Sequence, residues 1–278
     1  MTITTRATLP EAPPASPDRR ANKTRPWLDT AAARFGLPFV VLAAAILGWE
    51  VSVQTGLVNP ITVPAASDTF AALIEISQTR YFWESTWLTL QETIYGFLIG
   101  GTAGLLIGAL TGTFKLFRTA LWPFVVAFQN TPRVALAPVF LTWFGFGMTS
   151  KVVMAAVICF FPVVINTVAG IASVDDNART LFRTYGATTQ QTFFRLTLPT
   201  AAPITFAGIK TALTLALLGA IVGEFVGASE GLGVLVKEFN FQLDVAKGFA
   251  VVVFLAIIGL VLYALIELIE RRLITWKH

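Results

Sequence analysis

The chain has 278 residues, of which 55% are hydrophobic and 13% charged. A soluble domain carries about 25% charged residues, and a mean hydropathy of +0.71 belongs to a bilayer protein. A disordered chain, a disulfide-stapled secreted module and an ordinary soluble enzyme are thereby excluded. The net charge of +4 fits basic loops beside membrane spans better than nucleic-acid binding. One cysteine (Cys159) and one histidine (His278) supply neither an internal disulfide nor a zinc cluster, and no His-dependent catalytic triad is expected. No G-x-x-x-x-G-K-[ST] stretch occurs, so the chain carries no P-loop of its own.

Residues 1–35 contain Pro10, Pro13, Pro14, Pro17 and Pro26 in a polar stretch with charges of both signs, which predicts a disordered cytoplasmic tail. The first apolar run begins near Leu37, too late for a signal peptide. Six runs reach the roughly 20 residues that a helix needs to cross hydrocarbon. They lie near 37–55, 88–112, 119–142, 152–173, 201–223 and 248–268. The third is interrupted by Pro132 and Pro138, which allows a shorter helix followed by a folded-back segment. Between the spans, 67–79 predicts a short interfacial helix with Phe70, Leu73 and Ile74 at helical spacing and Ser67 as N-cap. Residues 224–247, with Gly227, Gly231 and Gly233, predict a turn-rich connection with a possible re-entrant portion.

Six spans put both termini on one side. That side then holds fourteen Lys and Arg against five opposite, with Lys210 near the basic face. The asymmetry predicts cytoplasmic termini.

In the second span Gly96, Gly100, Gly104, Gly108 and Gly112 recur every four residues, forming one stripe without side chains. Such a face admits close helix contact in lipid, either as static packing or as a surface that shifts during a transport cycle.

Residues 174–199 form the longest polar stretch between spans on the basic side. Asp175 or Asp176 can cap a helix. Ala178, Leu181, Phe182 and Tyr185 follow as an apolar stripe, with Arg179 and Arg183 on another face. Gly186 is a natural stop, Thr188 and Gln191 are spaced as a capping box, and Pro199 marks the start of the fifth span. Two short amphipathic helices joined at a glycine are expected. Their apolar faces are covered by span ends, headgroups or a soluble partner.

This stretch resembles the EAA loop of membrane subunits of ATP-binding-cassette (ABC) importers, whose signature reads E-A-A, three residues, Gly, nine residues, Ile-x-Leu-Pro. Gly186, Leu198 and Pro199 stand at the matching places, Leu196 takes the Ile place, and Thr180, Leu181 and Phe182 replace E-A-A. Residues 142–152, TWFGFGMTSKV, and 223–233, GEFVGASEGLG, resemble stretches of permeases of the nitrate, sulfonate, taurine and bicarbonate group, as does the segment from Pro132 to Pro138. The similarity covers about residues 37–272. It implies an all-α polytopic permease of type I importer fold, with a transmembrane domain over 36–272 and a cytoplasmic end at 273–278. Coupling helices at about 175–198 would touch the ATPase through Asp175, Asp176, Arg179, Arg183, Tyr185, Gly186, Phe193, Arg195, Leu198 and Pro199.

The resemblance further implies two ATPase subunits that hold ATP and Mg, a second permease copy, an extracytoplasmic solute-binding protein and a bacterial plasma-membrane location. This chain would bind no cofactor and catalyse no covalent step. Gln129, Asn130, Arg133, Asn166 and Glu224 are candidate pathway residues. Arg133 either snorkels to headgroups or attracts an anion beside a two-fold axis. Asn166 is open to an interhelical hydrogen bond, and Glu224 to pairing with Lys237 or Lys247. An aromatic acid or pyrimidine precursor is the alternative substrate. An ion-coupled secondary carrier and a non-transporting scaffold are the alternatives of another class.

Overall fold

The computed structural model describes residues 31–276, and most of the 1–35 tail and the last two residues lie outside them. The described residues are helical and contain no strand. They divide into two units, one ending at Trp49 and one running from Glu50 onward. Helix α1 (Ala31–Gln54) supplies the first unit and ends in the second. Its residues Leu37, Phe39, Val40 and Val41 are all exposed, as a lipid-facing helix requires.

The second unit continues with α2 (Ala66–Ser77), α3 (Arg80–Thr113), α4 (Lys115–Gln129), a 3-10 turn at Arg133–Leu136, α5 (Ala137–Phe144) and α6 (Met148–Ala172). Then come α7 (Asp176–Thr184), α8 (Thr189–Thr192), a π turn at Phe193–Thr197, α9 (Leu198–Gly227), α10 (Leu232–Phe241) and α11 (Val245–Leu273). Five helical stretches are long and apolar enough to cross a bilayer. The third expected run is a broken pair, with α4 and the stretch Arg133–Phe144 bent by 89°. Pro132 and Pro138 remove the donors that would carry one helix through this point.

Helix α6 is the centre of the unit. The five ladder glycines of α3 all face it: Gly96 lies against Ala155, Gly100 against Ala156 and Cys159, Gly104 against Val163, Gly108 against Thr167, and Gly112 against Ile171. A Cβ at any of the five would come within 3 Å of α6 atoms. Contacts advance in the same sense along both helices, so α3 and α6 are parallel. The chain must therefore return from the end of α3 to the start of α6, a distance of about 36 Å at 1.5 Å per residue. The broken α4–α5 pair makes that return, so it counts as one crossing.

On its other flank α6 meets α9 in the opposite sense. Gly170 abuts Ala201, Gly208 abuts Asn166, Gly219 abuts Ala155, and Gly223 abuts Lys151. Small residues let the backbones touch where lipid supplies no hydrophobic drive.

Two connections differ from expectation. The N-cap of α2 is Ala65, not Ser67. The Ser67 N–H and hydroxyl both donate to the Glu50 carboxylate, at 3.0 and 2.8 Å, so a carboxylate from α1 serves the helix start instead. The buried side of α2 is Thr69, Ala72 and Ile76, while Phe70 and Ile74 are exposed. The 224–247 connection is largely helical. Its α10 packs Leu232 and Leu235 with Ala72, Ile76, Phe82 and Val251 in one cluster.

Gly100→Val is expected to cost about 1–3 kcal/mol or more through overpacking against α6. Gly101→Ala, whose Cβ would meet only Phe97 at 3.7 Å, should stay near wild type. Thermal melts of the detergent-purified variants check both.

Candidate functional site

The 174–199 segment is a knuckle. Asp175 caps α7 by accepting from Asn177 N–H at 3.0 Å. Gly186 follows α7 with φ +74°, and its N–H donates to Arg183 O while Ala187 N–H donates to Phe182 O. These bonds close the helix end in the left-handed conformation that glycine adopts at no steric cost. Nothing lies within 4 Å of a Cβ built at Gly186. The demand for glycine is therefore on backbone angle and not on space.

Thr188 and Gln191 form the expected capping box, with bonds of 2.9 and 3.2 Å. The second amphipathic helix is not separate from the fifth span. It runs through the π turn, where Leu198 N–H reaches Phe193 O, directly into α9. Residues Thr189–Gly227 thus form one long helical stretch. The π turn immediately precedes Pro199, which has no N–H to give.

The apolar stripe of α7 is split. Ala178 and Phe182 are half-buried, whereas Leu181 is 54% and Tyr185 83% exposed. Phe194 and Leu198 are exposed beyond the turn. Asp175, Asp176, Arg183 and Arg195 lie on the surface, while Phe193 and Pro199 are half-buried. Arg179 turns inward: its Nη2 donates to Ile171 O at 2.7 Å and caps the end of α6. Arg179, Arg183 and Phe193 line a cleft of about 150 Å³ with Gly112 and Ile171, between the knuckle and the ends of α3 and α6.

The candidate pathway residues fall in three places. Gln129, Asn130 and Arg133 share the α4–α5 break. Arg133 is half-buried. Its Nη1 donates to Ile158 O at 3.4 Å and its Nη2 to Gln129 O at 3.2 Å, and the guanidinium stands 4.8 Å from the Phe161 ring centroid. Pro162 explains the first bond, because it has no N–H for Ile158 O one turn earlier. Arg133 borders a cavity of about 520 Å³ with Phe128, Phe140, Trp143, Phe160 and Phe161. Among the described residues no carboxylate forms an ion pair with it. Asn130 closes the end of α4, its Nδ2 donating to Val126 O. Asn166 lies under Gly208, its Nδ2 donating to Pro162 O within its own helix at 2.8 Å.

Glu224 is fully buried. It accepts from Thr89 Oγ1 at 2.5 Å and from Gly233 N–H at 2.6 Å, and Thr89 Oγ1 in turn accepts from Leu232 N–H at 2.9 Å. The expected pairing with Lys237 or Lys247 is absent. Lys237 donates to Phe225 O, and Lys247 pairs with Glu75 and Asp244. Glu92 and Lys151, which the sequence did not single out as functional, are buried near Glu224, and the Lys151 ammonium donates to the Phe146 and Gly147 carbonyls. For Glu92 the only sequence signal was an ionisable residue in an apolar run, whereas Lys151 belongs to the TWFGFGMTSKV stretch.

A broken crossing, a parallel α3–α6 pair and a helical knuckle continuous with a span describe a polytopic membrane protein. The profile described as "Binding-protein-dependent transport system inner membrane component" matches residues 100–275. The formylaminopyrimidine transport permease protein ThiX of Halalkalibacterium halodurans is 33% identical, covering 82% of this chain and 91% of its own. The riboflavin transport system permease protein RibX of Chloroflexus aurantiacus is 34% identical over 87% and 90%. A putative aliphatic sulfonates transport permease protein SsuC of Bacillus subtilis is 30% identical over 87% and 86%. In fold, the chain is similar to the inward-facing MetNI methionine ABC transporter, with TM-score 0.56, 22% identity and coverage of 69% of this chain and 94% of that one. A crystal structure of an amino acid ABC transporter with histidines gives TM-score 0.59 at 20% identity, over 72% and 97%. The chain belongs to the binding-protein-dependent inner membrane components, the permease subunits of ABC importers. This membership sets aside the secondary-carrier and scaffold readings.

Gly186→Val is expected to loosen the knuckle, because a β-branched residue in the left-handed region costs about 1–2 kcal/mol. Gly186→Asn, which tolerates that region, should stay close to wild type. Amide hydrogen exchange over 182–190 checks the pair: faster exchange in the valine variant only is the expected outcome.

Proposed function

We propose that this permease carries a small anionic solute, of the nitrate, sulfonate, taurine or bicarbonate kind, into the bacterial cytoplasm. The observation that carries the reading is Arg133: a permanent cation at a helix break, without a carboxylate partner among the described residues, beside an aromatic-lined cavity. A guanidinium so placed attracts an anion and binds it through forked N–H donors. Two copies of the chain set two such cations beside a shared axis.

In this reading two ATPase subunits bind ATP and Mg and an external solute-binding protein delivers the solute. The termini lie in the cytoplasm. The ATPase grips the knuckle through exposed Leu181, Tyr185 and Phe194, with Asp175, Asp176, Arg183 and Arg195 as polar contacts. The knuckle continues into α9 without a loop, so a push on 176–197 acts on a span directly.

A second reading has its own support. Two relatives are named for formylaminopyrimidine and riboflavin transport, and the five aromatic rings beside Arg133 suit a flat heterocycle.

Uptake of labelled taurine, alkanesulfonates, bicarbonate, nitrate and a pyrimidine precursor by cells expressing the whole transporter separates the two. Under the anion reading Arg133→Gln lowers uptake of the carried anion about tenfold, the equivalent of one charge-assisted hydrogen bond. Unchanged anion uptake overturns it, and pyrimidine uptake insensitive to Arg133 selects the second. For the knuckle, Tyr185→Ala should reduce stimulation of the partner ATPase severalfold in reconstituted complexes; wild-type stimulation would remove Tyr185 from the docking surface.

A further inference from the structure

The root of α9 holds both prolines of the long helical stretch that begins at the knuckle. The π turn at Phe193–Thr197 is followed by Pro199 and Pro203, so two backbone donors are missing within two turns. Helices bend at such places. A push applied to 176–197 would be absorbed there unless something braced it.

The last helix and the residues after it supply a brace at this spot. Pro203 has no N–H for Pro199 O, and the indole Nε1 of Trp276 donates to that carbonyl at 3.3 Å. An interfacial tryptophan acting only as a headgroup anchor needs its ring at the right depth, but here its single N–H is spent on a carbonyl that a proline has freed. About three turns farther along α9, or roughly 16 Å, Lys210 meets Glu270 of α11 at 2.5 Å, with side chains only 14% and 9% exposed. The Lys210 ammonium also stands 5.4 Å from the Tyr263 ring centroid. Ile274 is buried between these two ties in sequence.

We infer that Trp276 and the Lys210–Glu270 pair are positioning residues for energy coupling: they clamp the end of α11 to the root of α9, so that displacement of the knuckle moves both helices together. The inference rests on the knuckle being the ATPase contact. Without the clamp the knuckle still moves with nucleotide, but the far end of α9 follows it less.

The test needs no knowledge of the solute. The permease complex with its ATPase subunits is placed in nanodiscs with buried Cys159 replaced by Ala. Spin labels are attached at Thr184→Cys on α7 or at Ser229→Cys beyond the far end of α9. Distances between the labels of the two permease copies are measured without nucleotide and with ATP and orthovanadate. In the otherwise wild-type complex both distances should change. Trp276→Phe keeps the ring and loses the donor. It should leave the Thr184 change intact and reduce the Ser229 change severalfold. Lys210→Glu and Glu270→Lys should each do the same, and the double reversal should restore the Ser229 change. A Ser229 change of wild-type size in Trp276→Phe overturns the clamp. Thr184 labels that do not move even in the wild-type background instead overturn the coupling reading, and the clamp with it.

Discussion

Contact between helices stripped of side chains governs this protein. Helix α6 is held by the α3 glycine ladder on one flank and by small residues of α9 on the other, at distances where a single added Cβ collides. Five levels of contact on one side and four on the other fix both registers. Sliding by part of a turn would drive backbone into side chain at several levels together, because packed surfaces of this kind are bistable and not continuously deformable. The ladder is close packing contact at all five levels in this structure. Any motion of the α3–α6–α9 block is then a motion of the whole block, and bending is left to the α4–α5 break and to the root of α9.

Both of those bends are built from prolines, and each is tied by a side-chain donor to a carbonyl that a proline has freed, in α6 for the first and in α9 itself for the second. In hydrocarbon such a group is costly. The structure borrows donors from segments distant in sequence: Arg133 reaches Ile158 O, freed by Pro162, and Trp276 reaches Pro199 O, freed by Pro203. A third borrowed donor, Arg179 on Ile171 O, closes the end of α6 beside the knuckle. The flexible points are therefore tied by side chains that can release their carbonyl, unlike the glycine contacts, which have nothing to release.

The sequence made legible whatever is set by neighbours along the chain. The glycine stripe, the Thr188–Gln191 capping box, the Asp175 cap and the Gly186 stop all depend on spacings of four residues or fewer. Proline positions marked the broken crossing. Partner choice over long separations was not legible. Glu224 finds Thr89 across 135 residues, and Ser67 finds Glu50 across 17, so pairings guessed from nearby lysines and from local capping rules failed. The continuity of the knuckle with α9 was missed because Pro199 normally ends a helix, and a π turn evades that rule by shifting the hydrogen bonds one residue ahead of it.

Two of the stretches that carried the permease resemblance meet in one buried cluster. Lys151, from the first, holds the Phe146 and Gly147 carbonyls. Glu224, from the second, holds Gly233 N–H and, through Thr89, Leu232 N–H. Gly231, at φ +125°, leaves no room for a Cβ beside the Glu224 carboxylate. The polar residues of these stretches thus close loops onto the packed block, and both are enclosed by it, with 2% or less of their surface exposed. Side chains enclosed in this way are out of a solute's reach. Under the proposed function, discrimination resides where the chain is irregular and the scaffold does not dictate the side chains, at the α4–α5 break with Arg133 and its aromatic cavity. Under that proposal relatives of about equal similarity can bear the names of three chemically different solutes, because the block that fixes the fold is separate from the corner proposed to meet the cargo.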